Sequence, residues 1–256
     1  MNRYFLCSVL ALASLAVTMQ AQAPPKPKSP KEVEALKAMF AAQDPDSRIA
    51  AADNVLTKFA DTEFKAIALY FTAASYEQKN DFDKMVVYAE RTIEADPKNY
   101  NAMLMLARAL ASKTRENDLD KEEKLGRAEK YANGALDIIK DATKPNPQIT
   151  DDQWLAAKKD LQAQAYEALG IAAMARKKFD AAASEFKLAV ETPVKPEPAT
   201  MVRLAAAYNQ AKQYDSALAV LDKVMAIPDL VPAVRQFAQA EKVRATQGRA
   251  AAAPKP

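Results

Sequence analysis

Side chains able to make or break bonds are sparse in this chain. There is no histidine, which removes the commonest general base and the commonest metal ligand together. The one cysteine, Cys7, lies inside an apolar N-terminal run. Four glycines in 256 residues leave no glycine-rich loop to cradle a phosphate. Neither a Ser/His/Asp set nor a Cys/His metal pattern can be assembled, and no cofactor or metal is expected. Carboxylates remain, in neighbouring pairs such as Asp151/Asp152 and Glu122/Glu123. Such pairs read first as helix caps and solvated faces, and only then as acid–base dyads. The charge is nearly balanced at +3, with both signs interleaved. A nucleic-acid binder would carry a clustered basic face, so that class is excluded. The basic end, Lys242 to Pro256, reads as a frayed, solvated tail. What this inventory supports is recognition rather than catalysis.

The elements that must position any recognition surface repeat with a spacing of about 34 residues. Lys65–Pro97, Asn99–Leu110, Ala163–Pro193 and Pro198–Asp229 carry the same phase of small and aromatic residues. Ala73, Ala107, Gly170 and Ala205 fall where two helices of a hairpin cross closely, with Ala182 and Ala217 answering from the second helix. Phe82, Phe179 and Tyr214 stand beside the turns. A hairpin of this kind cannot bury its apolar face alone, so the hairpins must stack. The expected fold is all-α, a solenoid of antiparallel helix hairpins.

Start signals mark the ends. Ser29-Pro30-Lys31-Glu32 and Thr150-Asp151-Asp152-Gln153 are capping boxes, the second opening a long helix to about Arg176. Asp44-Pro45 opens another helix. An insertion of about nine residues is expected around Thr114 to Lys121, judged against the period. Trp154, outside the pattern, is expected to staple the long helix onto the preceding hairpin. A last helix, Val231 to Arg249, is expected to turn Val231, Val234, Phe237 and Ala238 toward the stack and Arg235, Glu241 and Lys242 outward.

The repeats resemble tetratricopeptide repeats (TPR). The first copy carries Leu69, Thr72, Ala73, Tyr76, Phe82, Met85, Ala89, Thr92 and Pro97. The second carries Met103, Leu106, Ala107 and Leu110, then Ala128, Ala132, Ala135 and Leu136. The third reads Tyr166, Leu169, Gly170, Ala173, Phe179, Ala182, Phe186, Ala189, and the fourth Met201, Leu204, Ala205, Tyr208, Tyr214, Ala217, Leu221, Val224. The resemblance implies a right-handed superhelix. The reading divides the chain into a signal peptide at 1–23, a Pro-rich linker at 24–29 and a helical domain at 30–249. Within that domain come a hairpin at 30–62, repeats at about 66–99, 100–140, 150–195 and 198–229, and a capping helix at 231–249. A disordered tail at 250–256 closes the chain.

Export is expected from the N-terminus. Arg3 precedes the apolar run Tyr4 to Met19, and Ala21-Gln22-Ala23 is a small-x-small cleavage site. Pro24 would hinder a cut there, so the cut falls nearby or the segment stays as an anchor. Cleavage is expected because the run is short for a stable span. Lys58 to Phe64 is also similar to the helix junction of exported bacterial TPR proteins, with Ala60 where they usually carry proline. The expected location is periplasmic or secreted.

In this family the first helix of each hairpin lines a concave surface that binds peptides or helices. The resemblance therefore places Ile67, Tyr70, Ala74, Glu77, Asn101, Leu104, Arg108 and Ala111 there. Gln164, Glu167, Ile171, Met174, Ala199, Val202, Ala206 and Asn209 continue the line. The partner-binding candidates are Tyr70, Glu77, Asn101, Leu104, Arg108, Gln164, Glu167 and Asn209. Leu104, Ile171 and Val202 either meet a ligand or pack against neighbouring helices. Arg108 pairs either with a ligand carboxylate or with Glu77 or Glu167. The expected role is a non-enzymatic scaffold in the cell envelope that binds other proteins or peptides. A self-associating structural module is the alternative. A third reading is an enzyme using Glu77 and Glu167.

Overall fold

The computed structural model describes residues 25–252. Among them are eleven α-helices and no strand. They run α1 (Pro30–Ala41), α2 (Pro45–Lys58), α3 (Lys65–Gln78), α4 (Phe82–Ala95), α5 (Tyr100–Lys113) and α6 (Lys121–Asp141). Then come α7 (Asp151–Ala175), α8 (Phe179–Glu191), α9 (Pro198–Gln210), α10 (Tyr214–Met225) and α11 (Pro232–Ala252). Consecutive helices pack as antiparallel hairpins, and each hairpin packs on the next. Among the described residues no helix is long and apolar enough to cross a membrane. The segment expected to direct export lies outside the described residues.

Local chemistry sets the helix starts. Asp44 accepts from the Ser47 amide at 2.9 Å, and Asn99 from the Ala102 amide at 3.1 Å. Thr150 and Gln153 complete a reciprocal capping box at the start of α7. At α1 only half of the expected box forms. Ser29 accepts from the Glu32 amide, but Glu32 reaches past it to the Lys28 amide and the Thr62 hydroxyl, each at 2.6 Å. Glu32 is buried to 1% exposure, so it ties the segment before α1 to the α2–α3 junction. Lys28 reinforces that tie through Asp61 at 2.9 Å.

Three hairpin turns use one device. Asn80, Lys177 and Lys212 each take positive φ, at 56°, 59° and 60°. The next amide bonds back five residues, Asp81 to Tyr76, Lys178 to Ala173 and Gln213 to Tyr208. These are Schellman ends, which satisfy carbonyls that a helix leaves open. Asparagine tolerates the left-handed region, whereas lysine is strained there. Lys212→Gly is therefore expected to stabilise the fold by about 0.5 kcal/mol. Strain relief outweighs the chain entropy that glycine adds to the unfolded state. A higher urea midpoint checks this, and a lower one contradicts it.

The small residues of the pattern lie in the helix crossings. Ala73, Ala107, Ala182, Ala205 and Ala217 are all fully buried. A Cβ on Gly170 would meet the Phe186 ring at 2.7 Å, so α7 and α8 touch through a glycine that no other residue replaces without movement. Trp154 donates its indole N–H to the Ala142 carbonyl at 3.1 Å, fastening α7 to the end of α6.

Two expectations need correction. The insertion is shared between a loop and a helix. The turn from α5 to α6 spans 114–120, and α6 itself has 21 residues against 14 in α5. The loop is pinned by Lys124–Asp118 at 3.2 Å and Lys121–Glu116 at 3.0 Å. The C-terminal stretch is not a frayed tail as far as Ala252. Lys242 pairs with Asp222 at 2.7 Å and Arg249 with Asp215 at 3.2 Å. The Tyr214 ring sits where a Cβ on Gly248 would be. Residues 253–256 lie outside the described residues.

Candidate protein-binding groove

The first helices of successive hairpins bring charged residues to one cleft of about 490 Å³. Glu77 reaches it from the end of α3, Arg108, Ala109, Ser112 and Lys113 from α5, and Glu167 and Ile171 from α7. Glu197 and Arg203 come from the start and middle of α9, and Asn80, Phe82 and Met85 from the α3–α4 turn and α4. Apolar Phe82, Met85, Ala109 and Ile171 thus alternate with three acids and three bases.

The charges are organised in pairs that link neighbouring hairpins. Arg108 donates through Nη2 to Glu77. Arg203 donates through Nη1 to Glu167 at 2.5 Å, and the Thr200 hydroxyl donates to the same carboxylate oxygen at 2.9 Å. The arginine side chains are 51% and 48% exposed. Pairs this exposed contribute under about 1 kcal/mol to stability, so they orient the guanidinium groups more than they hold the fold. A guanidinium has five N–H donors. Each arginine spends one on its carboxylate and keeps donors at the cleft wall.

The sequence matches no family model and no curated protein. Solved structures do resemble it. TTC0263, a thermophilic TPR protein of Thermus thermophilus, aligns with a TM-score of 0.55 at 17% identity, covering 83% of this chain and 99% of that one. The fold is a TPR-type helical solenoid. A second structure, an assembly chaperone of RpL4 (Acl4, residues 1–338), aligns with a TM-score of 0.46 at 13% identity, covering 86% of this chain and 99% of that one.

Within this solenoid the expected groove residues divide. Glu77, Arg108 and Glu167 meet at the cleft, and Arg108 takes Glu77 as its partner. Tyr70 is half-buried, and burial followed by the Glu77 carboxylate pushes its phenol up, against the pull of Arg108. Asn101 and Gln164 stand outside the cleft wall. Leu104 is a correction: at 5% exposure it packs with Ala107, Ala132 and Ala135, because α6 and α7 cover its side of α5. Asn209 is another: its amide donates to the Glu241 carbonyl at 3.0 Å and carboxylate at 2.7 Å, which ties α9 to α11. Of the three ambiguous apolar residues, Ile171 lines the cleft, while Val202 is buried at 8% exposure beside Met201 and Ala205.

Arg203, Glu197 and Lys113 were not among the expected residues. A signal existed for Arg203. Glu77 and Arg108 are 31 residues apart and Glu167 and Arg203 are 36 apart, so each acid is followed by a base about one repeat later.

The adjacent carboxylates do not form dyads. Asp151 pairs with Lys144 at 2.7 Å, which holds its carboxyl below the usual range. Glu122 instead shares Arg176 with Glu129, at 2.7 and 2.5 Å. Glu185, on α8, has a buried Oε2 with no hydrogen-bond partner among the described residues. Burial, and then the nearby Glu129 charge, push its carboxyl up. A raised folded-state value means the native state holds this proton at pH values where the unfolded chain has lost it. Stability then falls as pH rises through that value and is regained as pH falls toward the ordinary glutamate range. Glu185→Gln is expected to melt higher than wild type at pH 7, with the gap closing near pH 4. Melting curves across that range check it, and a gap constant with pH contradicts it.

Proposed function

We propose that this chain is an exported, non-enzymatic scaffold that holds a partner protein, as an extended segment or a helix, in the cleft between α3 and α9. The observation that carries this reading is the cleft itself. Two arginines from different hairpins, each oriented by an acid of a neighbouring hairpin, flank an apolar strip of Phe82, Met85 and Ile171. Such a surface suits a chain segment that offers apolar side chains together with carboxylates or carbonyls. Glu77 and Glu167, the pair an enzyme reading would use, each accept from their own arginine. Export is supported by Arg3, the apolar run Tyr4 to Met19 and Ala21-Gln22-Ala23.

A photo-crosslinking residue placed at Ser112, in the cleft, is expected to trap a protein that the same residue at Val87 does not. Val87 is 52% exposed and lies on the second helix of its hairpin. Equal trapping at both positions would remove the cleft from the account.

A further inference from the structure

The joints between hairpins are not equally packed. Elsewhere the second helix of one hairpin lies along the first helix of the next, as α2 on α3, α6 on α7, α8 on α9 and α10 on α11. Two of these joints are gripped twice, because α5 also packs on α7 and α9 on α11. The joint between α4 and α5 is the thinnest of all, and there α3 does not pack along α5, nor α4 along α6. Its apolar seam draws on Met85 and Ala89 from α4 and on Leu106 and Leu110 from α5. Beyond the turn itself, the side-chain hydrogen bonds that cross this joint among the described residues end on two acids. On the groove side Glu77 of α3 accepts from Arg108 of α5. On the outer side Glu90 of α4 accepts from Arg127 and, at 3.0 Å, from the Tyr131 hydroxyl, both on α6. The four charged side chains of these pairs are each a third or more exposed.

We propose that this joint is a hinge: α1–α4 and α5–α11 turn against each other about the α4–α5 contact, and the rotation sets the width of the cleft. The hinge does not depend on what fills the cleft. The cleft straddles the joint, with Glu77, Phe82 and Met85 on one side and Arg108, Ser112 and Glu167 on the other. Rotation about the α4–α5 contact therefore moves the two walls as bodies. Glu77–Arg108 and Glu90–Arg127 lie on opposite sides of that contact, so they oppose one another. The groove-side pair resists opening, and the outer pair resists closing. Pairs this exposed hold weakly. They also part without leaving a charge buried and uncompensated, which is the large cost of breaking an interior pair. A joint held in this way moves at low cost, whereas α7, gripped by both α5 and α6, does not. The chain crosses the joint once, at residues 96–99, and a few residues between elements are enough to absorb a hinge rotation.

Spin-label distances in the full chain, with Cys7→Ala to remove its native thiol, test the hinge. Lys37→Cys on α1 with Gln210→Cys on α9 spans the joint. Lys37→Cys with Val87→Cys, and Lys130→Cys with Gln210→Cys, each lie within one body. All four positions are exposed. Glu77→Ala is expected to shift the spanning distance upward and Glu90→Ala to shift it downward, with both within-body distances unchanged. Arg127→Gln, which removes the outer pair from its other partner, is expected to shift the distance the same way as Glu90→Ala. Circular dichroism like that of wild type shows that each variant is folded. In the chain with both latches intact, about 1 M salt, which screens charges beyond about 3 Å, is expected to broaden the spanning distribution alone. A spanning distance that neither variant moves overturns the proposal. So do shifts of the same sign from Glu77→Ala and Glu90→Ala, or an equal shift in a within-body pair.

Discussion

Replacing Phe186 by alanine is expected to lower the unfolding free energy by about 3–5 kcal/mol, the range for emptying a buried aromatic site. Phe186 is the largest of the fully buried side chains, at 1% exposure. It packs with Ala182, Ala183 and Leu204 at the joint between α8 and α9. On its other side its ring lies against the bare backbone of Gly170. Gly170→Ala is expected to cost about 1–3 kcal/mol, since the new methyl overlaps the ring and a packed core yields poorly. The two changes touch the same space and must couple. In the Phe186→Ala background the Gly170 methyl enters the vacated volume, and its cost is expected to shrink or change sign. A solenoid transmits such damage to nearest neighbours. Hydrogen exchange should therefore quicken first in α7, α8 and α9. Urea unfolding of the two single variants and the double variant measures the cycle. Additive losses would mean that the helices do not meet through Gly170.

Reversing both cleft arginines, Arg108→Glu with Arg203→Glu, is expected to weaken partner binding by at least about 100-fold, or roughly 2.7 kcal/mol. Each reversal removes donors at the cleft wall. Each also places a second carboxylate beside Glu77 or Glu167, so the cleft turns from balanced to acidic. Both arginines are about half exposed, and the stability cost is expected to stay near 1 kcal/mol. The variant must therefore fold while failing to bind. Loss of binding together with loss of helical content would point to structural damage instead.

The hairpins were legible in the sequence because steric demand leaves a strict mark. Only a very small residue fits where helices cross, so Ala73, Ala107, Gly170 and Ala205 repeat at the period and all are buried. The cleft was legible in part. Glu77, Arg108 and Glu167 follow from position in the repeat. Leu104 does not, because α5 packs against both α6 and α7 and the side facing α7 carries the same apolar types as a groove would. Arg203 was missed by one position: the rotation of α9 about its axis, set by packing, turns Arg203 rather than Val202 toward Glu167.

Only part of the expected inner face of the last helix turns inward, for a related reason: Val234 and Ala238 meet the stack, whereas Val231 and Phe237 stay in solvent. Large apolar residues were expected inside, yet close approach to α9 and α10 selects Ala238, Ala245 and Gly248 and leaves Phe237 in solvent. The half-formed cap at α1 shows the same limit. Ser29 announced the helix start, but the destination of Glu32 depends on Thr62, thirty residues away. Short-range signals place helix ends, whereas the rotation of each helix is settled by contacts between repeats.

Capture of partner proteins by wild type, by the Arg108→Glu/Arg203→Glu variant and by Phe237→Glu, side by side from the same extract, tests the central claim most directly. The account predicts a partner held by wild type and by Phe237→Glu and lost by the cleft variant, with circular dichroism alike in all three. A partner retained by the cleft variant, or lost with Phe237→Glu alone, would contradict it and move recognition from the cleft to another surface.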